Sequence, residues 1–332
     1  MQGVGVSAQI DVKISIENNG RFSGNMMKLR KITSLLLAGM LLFSTVMVSA
    51  QEIDNTVQGK LVAIENGMYG SAQTGSLMER TNKLEKDYLG IHPTGTLIAR
   101  IDNLYGILYD NKTTPSAITQ LNAIEWAVTH AVTMNSIQAR SEQLETVIEG
   151  GPKEGTLKKR IEKLGELAFG GVKIPLVQTM IPTDTLVKIA LVTPIKSQDL
   201  KVGDTIKYQV AEDVMINGTL IFAKGAPGTG IVNKVTQARN FGRDAKIEIG
   251  FNQTTAIDGS TVETFLGEKA KQEMKSVAMA AGATVAGMVL LGPIGVVTGA
   301  FINGKNINIE AGTELYIQTK MDTSVYGIQT AK

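Results

Sequence analysis

A twenty-residue period governs the first half of the chain. Units beginning at Asn55, Gly75, Gly95, Pro115, Asn135 and Gly155 align without gaps. Their second residues are Thr56, Ser76, Thr96, Ser116, Ser136 and Thr156, and their sixth are Lys60, Arg80, Arg100, Gln120, Arg140 and Arg160. The tenth are Ile64, Leu84, Leu104, Ile124, Leu144 and Leu164; Glu follows at 65, 85, 125 and 145, and Gly at 70, 90, 150 and 170. Each unit reads as one short helix. The Ser/Thr oxygen caps free N–H groups at its start, with Ser76 and Glu79 forming a capping box, and the terminal Gly supplies the left-handed residue that ends it. Apolar residues such as Leu77, Leu84 and Tyr88, or Leu97, Leu104 and Leu108, share one face. A helix of about three turns does not hold itself together in water, so the units must stack or bundle. LVAIE at 61–65 matches LNAIE at 121–125, and GTLIARIDNL at 95–104 matches GTLKKRIEKL at 155–164, so the array is two blocks of three helices.

Arginine at a fixed pitch could bind carboxylates or phosphates, which makes Arg80, Arg100, Arg140 and Arg160 candidate partner-binding residues. The plainer expectation, preferred here, is a solvated helix face forming local ion pairs. Trp126, the sole tryptophan, is expected in a core rather than on a binding platform.

From Ile174 onward β-branched runs alternate with turn residues. Strands are expected at Thr185–Thr193, Thr205–Val210, Thr219–Phe222, Gly230–Val235, Ala245–Phe251, Thr261–Leu266 and Glu314–Thr319, with turns at Asn217-Gly218, Lys224-Gly225 and Asp258-Gly259. Seven short strands suggest a small antiparallel barrel or sandwich. The run from Gly225 through Gly228 to Gly230 superficially resembles a phosphate-cradling loop. It lacks the Lys-Ser/Thr ending and a following helix, so a hairpin connection is expected there. Asp258 needs no catalytic role, and Asp199, Asp204, Glu212, Asp213 and Asp244 fall at strand ends without forming an acid–base pair.

Val277–Phe301 carries no charge and is flanked by Lys269, Lys271, Lys275 and Lys305. Gly282, Gly287, Gly292, Gly295 and Gly299 are spaced for close helix approach, which makes them a candidate membrane or oligomer face. Pro293 should split the stretch into a helical hairpin whose halves are each too short to span a bilayer. It could form a re-entrant or interfacial hairpin, an oligomer-forming antenna, or a helical pair buried against the β domain; Ala/Gly packing favours lipid.

Near the other end, Lys28, Arg30 and Lys31 precede an apolar run from Ile32 to Val48 and the small residues Val48-Ser49-Ala50. This is the pattern of an export signal, with cleavage expected after Ala50 and translation expected to begin at Met26 or Met27. Removing residues 1–50 takes away five basic and two acidic residues and changes the net charge from +2 to −1. That balance argues against a nucleic-acid partner. The 332 residues contain no cysteine and only His92 and His130, which excludes disulfides, thiolate metal sites and cysteine nucleophiles and leaves little from which to build a zinc site or a Ser-His-Asp triad. No catalytic, cofactor-binding or metal residue is expected.

Residues Thr193–Ser197, Ala211–Val214, Leu220–Gly225, Gly230, Arg243 and Asp258-Gly259 follow an order that resembles the periplasmic β-barrel domain of TrbI-like type IV secretion scaffold proteins. That resemblance covers about residues 185–320 and implies a helical excursion between barrel strands, used at the outer membrane. The repeats lie outside that family's pattern. The whole chain also resembles uncharacterised exported proteins of diderm Firmicutes. The expected organisation is α+β and multi-domain: leader and signal at 1–50, a helical repeat domain at 51–174, and a β-rich domain at 175–332 with the insert at 268–304. The expected function is that of a non-catalytic, periplasmic or outer-membrane-associated envelope scaffold with a membrane or envelope partner and possible homo-oligomerisation. The alternative is a soluble periplasmic or secreted module binding peptidoglycan or polysaccharide.

Overall fold

In the computed structural model, residues 55–171, 173–237, 245–280, 300–304 and 307–330 are described. Six helices open this part: α1 Val57–Tyr69, α2 Leu77–Leu89, α3 Leu97–Tyr109, α4 Ala117–Thr129, α5 Ile137–Glu149 and α6 Leu157–Ala168. The hydroxyl column caps all six. Thr56, Ser76, Thr96, Ser116, Ser136 and Thr156 hold extended backbone, and each side chain accepts the N–H three residues on. Ser76 and Glu79 form the expected capping box. Ser76→Ala should therefore cost about 1 kcal/mol, read from a denaturation midpoint; no shift would mean the box contributes nothing.

The tenth-position residues Ile64, Leu84, Leu104, Ile124, Leu144 and Leu164 are all buried in one core shared by the six helices. Within each block the first and third helices pack together, α1 on α3 and α4 on α6. The spiral then closes on itself. Gly70 at the end of α1 lies beside the Ser136 cap of α5, and Gly90 at the end of α2 lies against the Thr156 cap of α6. At Gly90 φ is +78° and an added Cβ would stand 2.7 Å from the Thr156 methyl, so both backbone and space require glycine.

Thirteen strands follow: β1 Leu176–Ile181, β2 Leu186–Leu191, β3 Ile195–Lys196, β4 Thr205–Val210, β5 Val214–Ile216, β6 Thr219–Phe222, β7 Pro227–Thr236, β8 Ala245–Thr255, β9 Thr261–Phe265, β10 Ala300–Gly304, β11 Asn308–Ile309, β12 Glu314–Thr319 and β13 Thr323–Gln329. Helix α7, Glu268–Ala280, lies between β9 and β10. Strands β8, β7, β4, β2, β12 and β9 form an antiparallel barrel that closes where β9 returns to β8, with Gln253, Thr254 and Thr255 opposite Glu263, Val262 and Thr261. The fold class is thus α+β. Alternate residues of β2 and β4 point into the barrel, so Val187, Ile189, Leu191, Ile206, Tyr208 and Val210 are buried. A second sheet, ordered β1-β13-β6-β5, adds Leu220, Ile221, Phe222, Val325 and Ile328 to the same core.

All seven expected strands occur. The hairpin expected at the Gly225–Gly230 run is corrected: the turn is confined to Ala223–Ala226, Pro227 already begins β7, and β6 and β7 lie in different sheets, so the turn carries the chain from the second sheet into the barrel. Gly228 pairs with Tyr208, and a Cβ there would stand 1.9 Å from the Tyr208 ring. The glycine makes room for the barrel's large internal aromatic. Gly282, Gly287, Gly292, Gly295 and Gly299, Pro293, Arg243, Asp244 and the signal sequence lie outside the described residues.

Candidate functional site

The four arginines of the repeat face inward. Arg80, Arg100 and Arg140 are at most 9% exposed, and each guanidinium grips the glutamate fifteen residues earlier. Arg80 donates to Glu65 at 2.7 and 2.6 Å, Arg160 to Glu145 at 2.7 and 2.8 Å, and Arg100 to both oxygens of Glu85. Arg140 reaches Glu125 through Nε at 2.9 Å and also donates to Asn122 Oδ1 at 2.6 Å. The paired carboxylate holds the Arg80 and Arg100 guanidiniums above their ordinary pKa. The expected solvated face is therefore corrected: each arginine locks one unit to the unit before it. Planar two-point pairing lets guanidinium and carboxylate be buried together.

The same carboxylates also receive the connecting loop. Gln73, Thr133 and Lys153 donate their backbone N–H to Glu65, Glu125 and Glu145 at 3.0, 3.0 and 2.8 Å. The equivalent residue after Glu85 is Pro93, which has no N–H, and His92 Nδ1 stands 3.7 Å from Glu85 there. Among these described units the third junction alone lacks the arginine–glutamate pair, with Tyr105 in place of the glutamate and Gln120 in place of the arginine. Tyr105 tilts against Tyr109, and Gln120 turns back to the Pro115 carbonyl.

That altered junction is where the array meets the barrel. Asn111 Nδ2 and Thr119 Oγ1 donate to the Asp258 carbonyl at 2.8 and 2.9 Å, and Asn122 Nδ2 donates to the Ile257 carbonyl at 2.7 Å. Trp126 Nε1 donates to Asp213 at 2.9 Å, so the half-buried indole serves as joint rather than interior core. The Val132 N–H donates to the Lys224 carbonyl at 2.9 Å, while Ala123 and Val132 join the barrel core. The Asp258 carboxylate accepts the N–H groups of Ser260 and Tyr326. Burial pushes its pKa up and these hydrogen bonds pull it back. Its surroundings describe a turn brace.

A second feature is the departure point of α7. The Ala270 N–H donates to Gln318 Oε1 at 3.0 Å, Gln318 Nε2 donates to Asp184, and Lys269 Nζ donates to the Asp184 carbonyl at 2.9 Å. Ala270 and Met274 enter the barrel core. The chain returns as β10, which pairs with residues 245–249 of β8. Among the described residues no helix is long and apolar enough to cross a membrane, and no cluster of three His, Asp or Glu could hold a metal.

Fold and site together define an α+β chain in which a capped helical repeat is braced onto a closed antiparallel barrel. No family model matches it, nor does any curated protein sequence. Among solved structures it is similar to ComB10 of the Com type IV secretion system of Helicobacter pylori, at 17% identity over 43% of this chain and 88% of that one, with a TM-score of 0.23. A likeness at that level defines neither a family nor an activity.

Proposed function

We propose that the chain is a non-catalytic scaffold of the cell envelope, exported by its N-terminal signal. The repeat domain offers contact area to a partner, and the apolar, glycine-spaced stretch anchors the protein at the outer membrane or joins copies of it. One observation carries this most directly: the barrel holds both ends of that stretch, α7 through Ala270, Gln318 and Asp184, and β10 through β8. An uncharged excursion held at both ends by a folded barrel is suited to present its apolar surface outward, since no charge has to be desolvated on entering lipid or a second copy. The joint at Asn111, Thr119 and Asn122 would transmit the position of that anchor to the array.

Fractionating a native host that makes either the intact chain or one lacking residues 277–301 tests this. The intact protein should sediment with membranes and the shortened one should not. An intact protein found wholly in the soluble fraction would remove the anchor. The soluble glycan-binding alternative loses the arginine column as a contact surface, because those guanidiniums are buried on glutamates.

A further inference from the structure

The two edges of the second sheet are built differently. β5 is three residues long and shifts register against β6 between Val214 and Met215. Shortness and a bulge are means by which folded chains keep an edge from pairing further. At the other edge β1 runs six residues, Leu176–Ile181, in unbroken register with β13 and with no charge, proline or bulge. Such an edge is a template for another strand. The Gln329 N–H donates to the Pro175 carbonyl at 2.8 Å, and this sets the phase of the ladder. Val177, Thr179 and Ile181 turn their backbone groups toward β13, whereas Leu176, Gln178 and Met180 turn theirs away. Tyr326, opposite Gln178, accordingly gives its N–H to Asp258 rather than to β1. The Leu176 N–H bends back to the Ile174 carbonyl at 2.8 Å. Among the described residues no group pairs with the N–H and C=O of Gln178 and Met180 or with the Leu176 C=O.

We propose that β1 is an interface between two copies of this chain, paired antiparallel about a two-fold axis at Gln178. Identical strands meeting antiparallel form a closed, self-complementary contact. Only this axis matches all three outward positions within the strand: Gln178 faces Gln178 of the second copy, and Leu176 faces its Met180. An axis at Thr179 would set Leu176 against Pro182, which has no N–H, and one at Val177 would set Met180 against Ile174, outside the strand. The two Gln178 residues exchange N–H and C=O, and each Met180 N–H meets a Leu176 carbonyl. Met180, 52% exposed in the single chain, covers Leu176 of the other copy as an apolar cross-strand pair. With no charge in the stretch, no like charges are opposed. This match of the strand to itself assigns the edge to a second copy rather than to a different chain, and it joins the two four-stranded sheets into one.

The interface uses none of residues 277–301, so it and the anchoring role can fail independently. Sedimentation velocity over a series of protein concentrations tests it, on the full chain in mild detergent and on the chain lacking residues 277–301. Both should show a concentration-dependent monomer–dimer equilibrium. Dimers of the full chain alone would place self-association in the apolar stretch and overturn the pairing through β1, as would a monomer at every concentration. Gln178→Lys sets two ammonium groups opposite each other at the axis and should weaken the dimer about fivefold, the effect of one unfavourable cross-strand pair. Gln178→Glu should do the same with two carboxylates. Gln178 is exposed in the single chain, so neither variant should lower the thermal midpoint at concentrations where the chain is monomeric. Mixing the two variants should restore the dimer, one copy of each. A side chain meets its own equivalent only at a two-fold axis, so a merely destabilising substitution would not give that recovery. Unchanged dimerisation in either variant, or no recovery in the mixture, would overturn the proposal.

Discussion

Arg140→Met is expected to destabilise the folded chain by about 3–5 kcal/mol, because it strands the Glu125 carboxylate in the interior. Both side chains of that pair are no more than 4% exposed. Methionine retains much of the packing but supplies no charge and no donor to either Glu125 or Asn122. A suitable control is Lys163→Met, which breaks a pair with Glu166 whose side chains are both more than half exposed; it should change stability by no more than about 0.5 kcal/mol. Adding Glu125→Met to Arg140→Met should recover part of the loss, since no buried charge then remains. Recovery stays incomplete, because the Thr133 N–H and hydroxyl also depend on Glu125. Denaturant unfolding reads all three variants. A loss in Arg140→Met no greater than in Lys163→Met would mean that the buried column is not a structural lock.

The second large effect is expected at the joint between array and barrel. Gly225 has φ +86°, and an added Cβ would stand 2.4 Å from the Val132 carbonyl oxygen. Gly225→Ala therefore combines left-handed strain with overlap against backbone, together more than about 2 kcal/mol. Gly203 separates the two contributions: its φ is +93° with nothing within 4 Å, so Gly203→Ala carries the conformational strain alone. Calorimetry should show a lower midpoint for Gly225→Ala than for Gly203→Ala, with the array beginning to unfold separately from the barrel. Equal midpoints would show that Val132 and Lys224 do not couple the two parts. On the scaffold role proposed above, loss of that coupling would leave a partner held by the array out of register with the barrel.

Much of the architecture was legible in residue spacing. Six hydroxyls at a twenty-residue step marked six caps, and alternation marked β2, β4 and β12. The arginine column was visible, but its direction was not. Helical spacing shows that Arg80 and Arg100 occupy equivalent positions, and it says nothing of which neighbour covers them. A signal for the pairing was nevertheless present. Glu65, Glu85, Glu125 and Glu145 each precede an arginine by fifteen residues, and of the five junctions between units the one that lacks the glutamate, at Tyr105, is the one that lacks the arginine, at Gln120. A solvated face would not require the two losses to coincide. Strands β1 and β13 were not anticipated for a different reason. β1 is an edge strand with weak alternation, and β13 contains Gly327, which admits the close approach of Thr219 and Leu220.

By itself the sequence determined the local features: where each helix starts and stops, the period of the array, the change to β structure, and the scarcity of catalytic residue types. These depend on contacts within a few residues, so spacing records them directly. Tertiary structure alone decided that the arginines point inward, that Trp126 and Asn122 join the array to the barrel, and that β9 returns to β8 to close it. It also decided that the altered junction opens onto a cleft lined by Tyr88 and Gln120. Each of these depends on groups brought together from distant parts of the chain, as when Asn122 meets Ile257 across 135 residues. Whether such a group is buried, paired or left open depends on what packs over it.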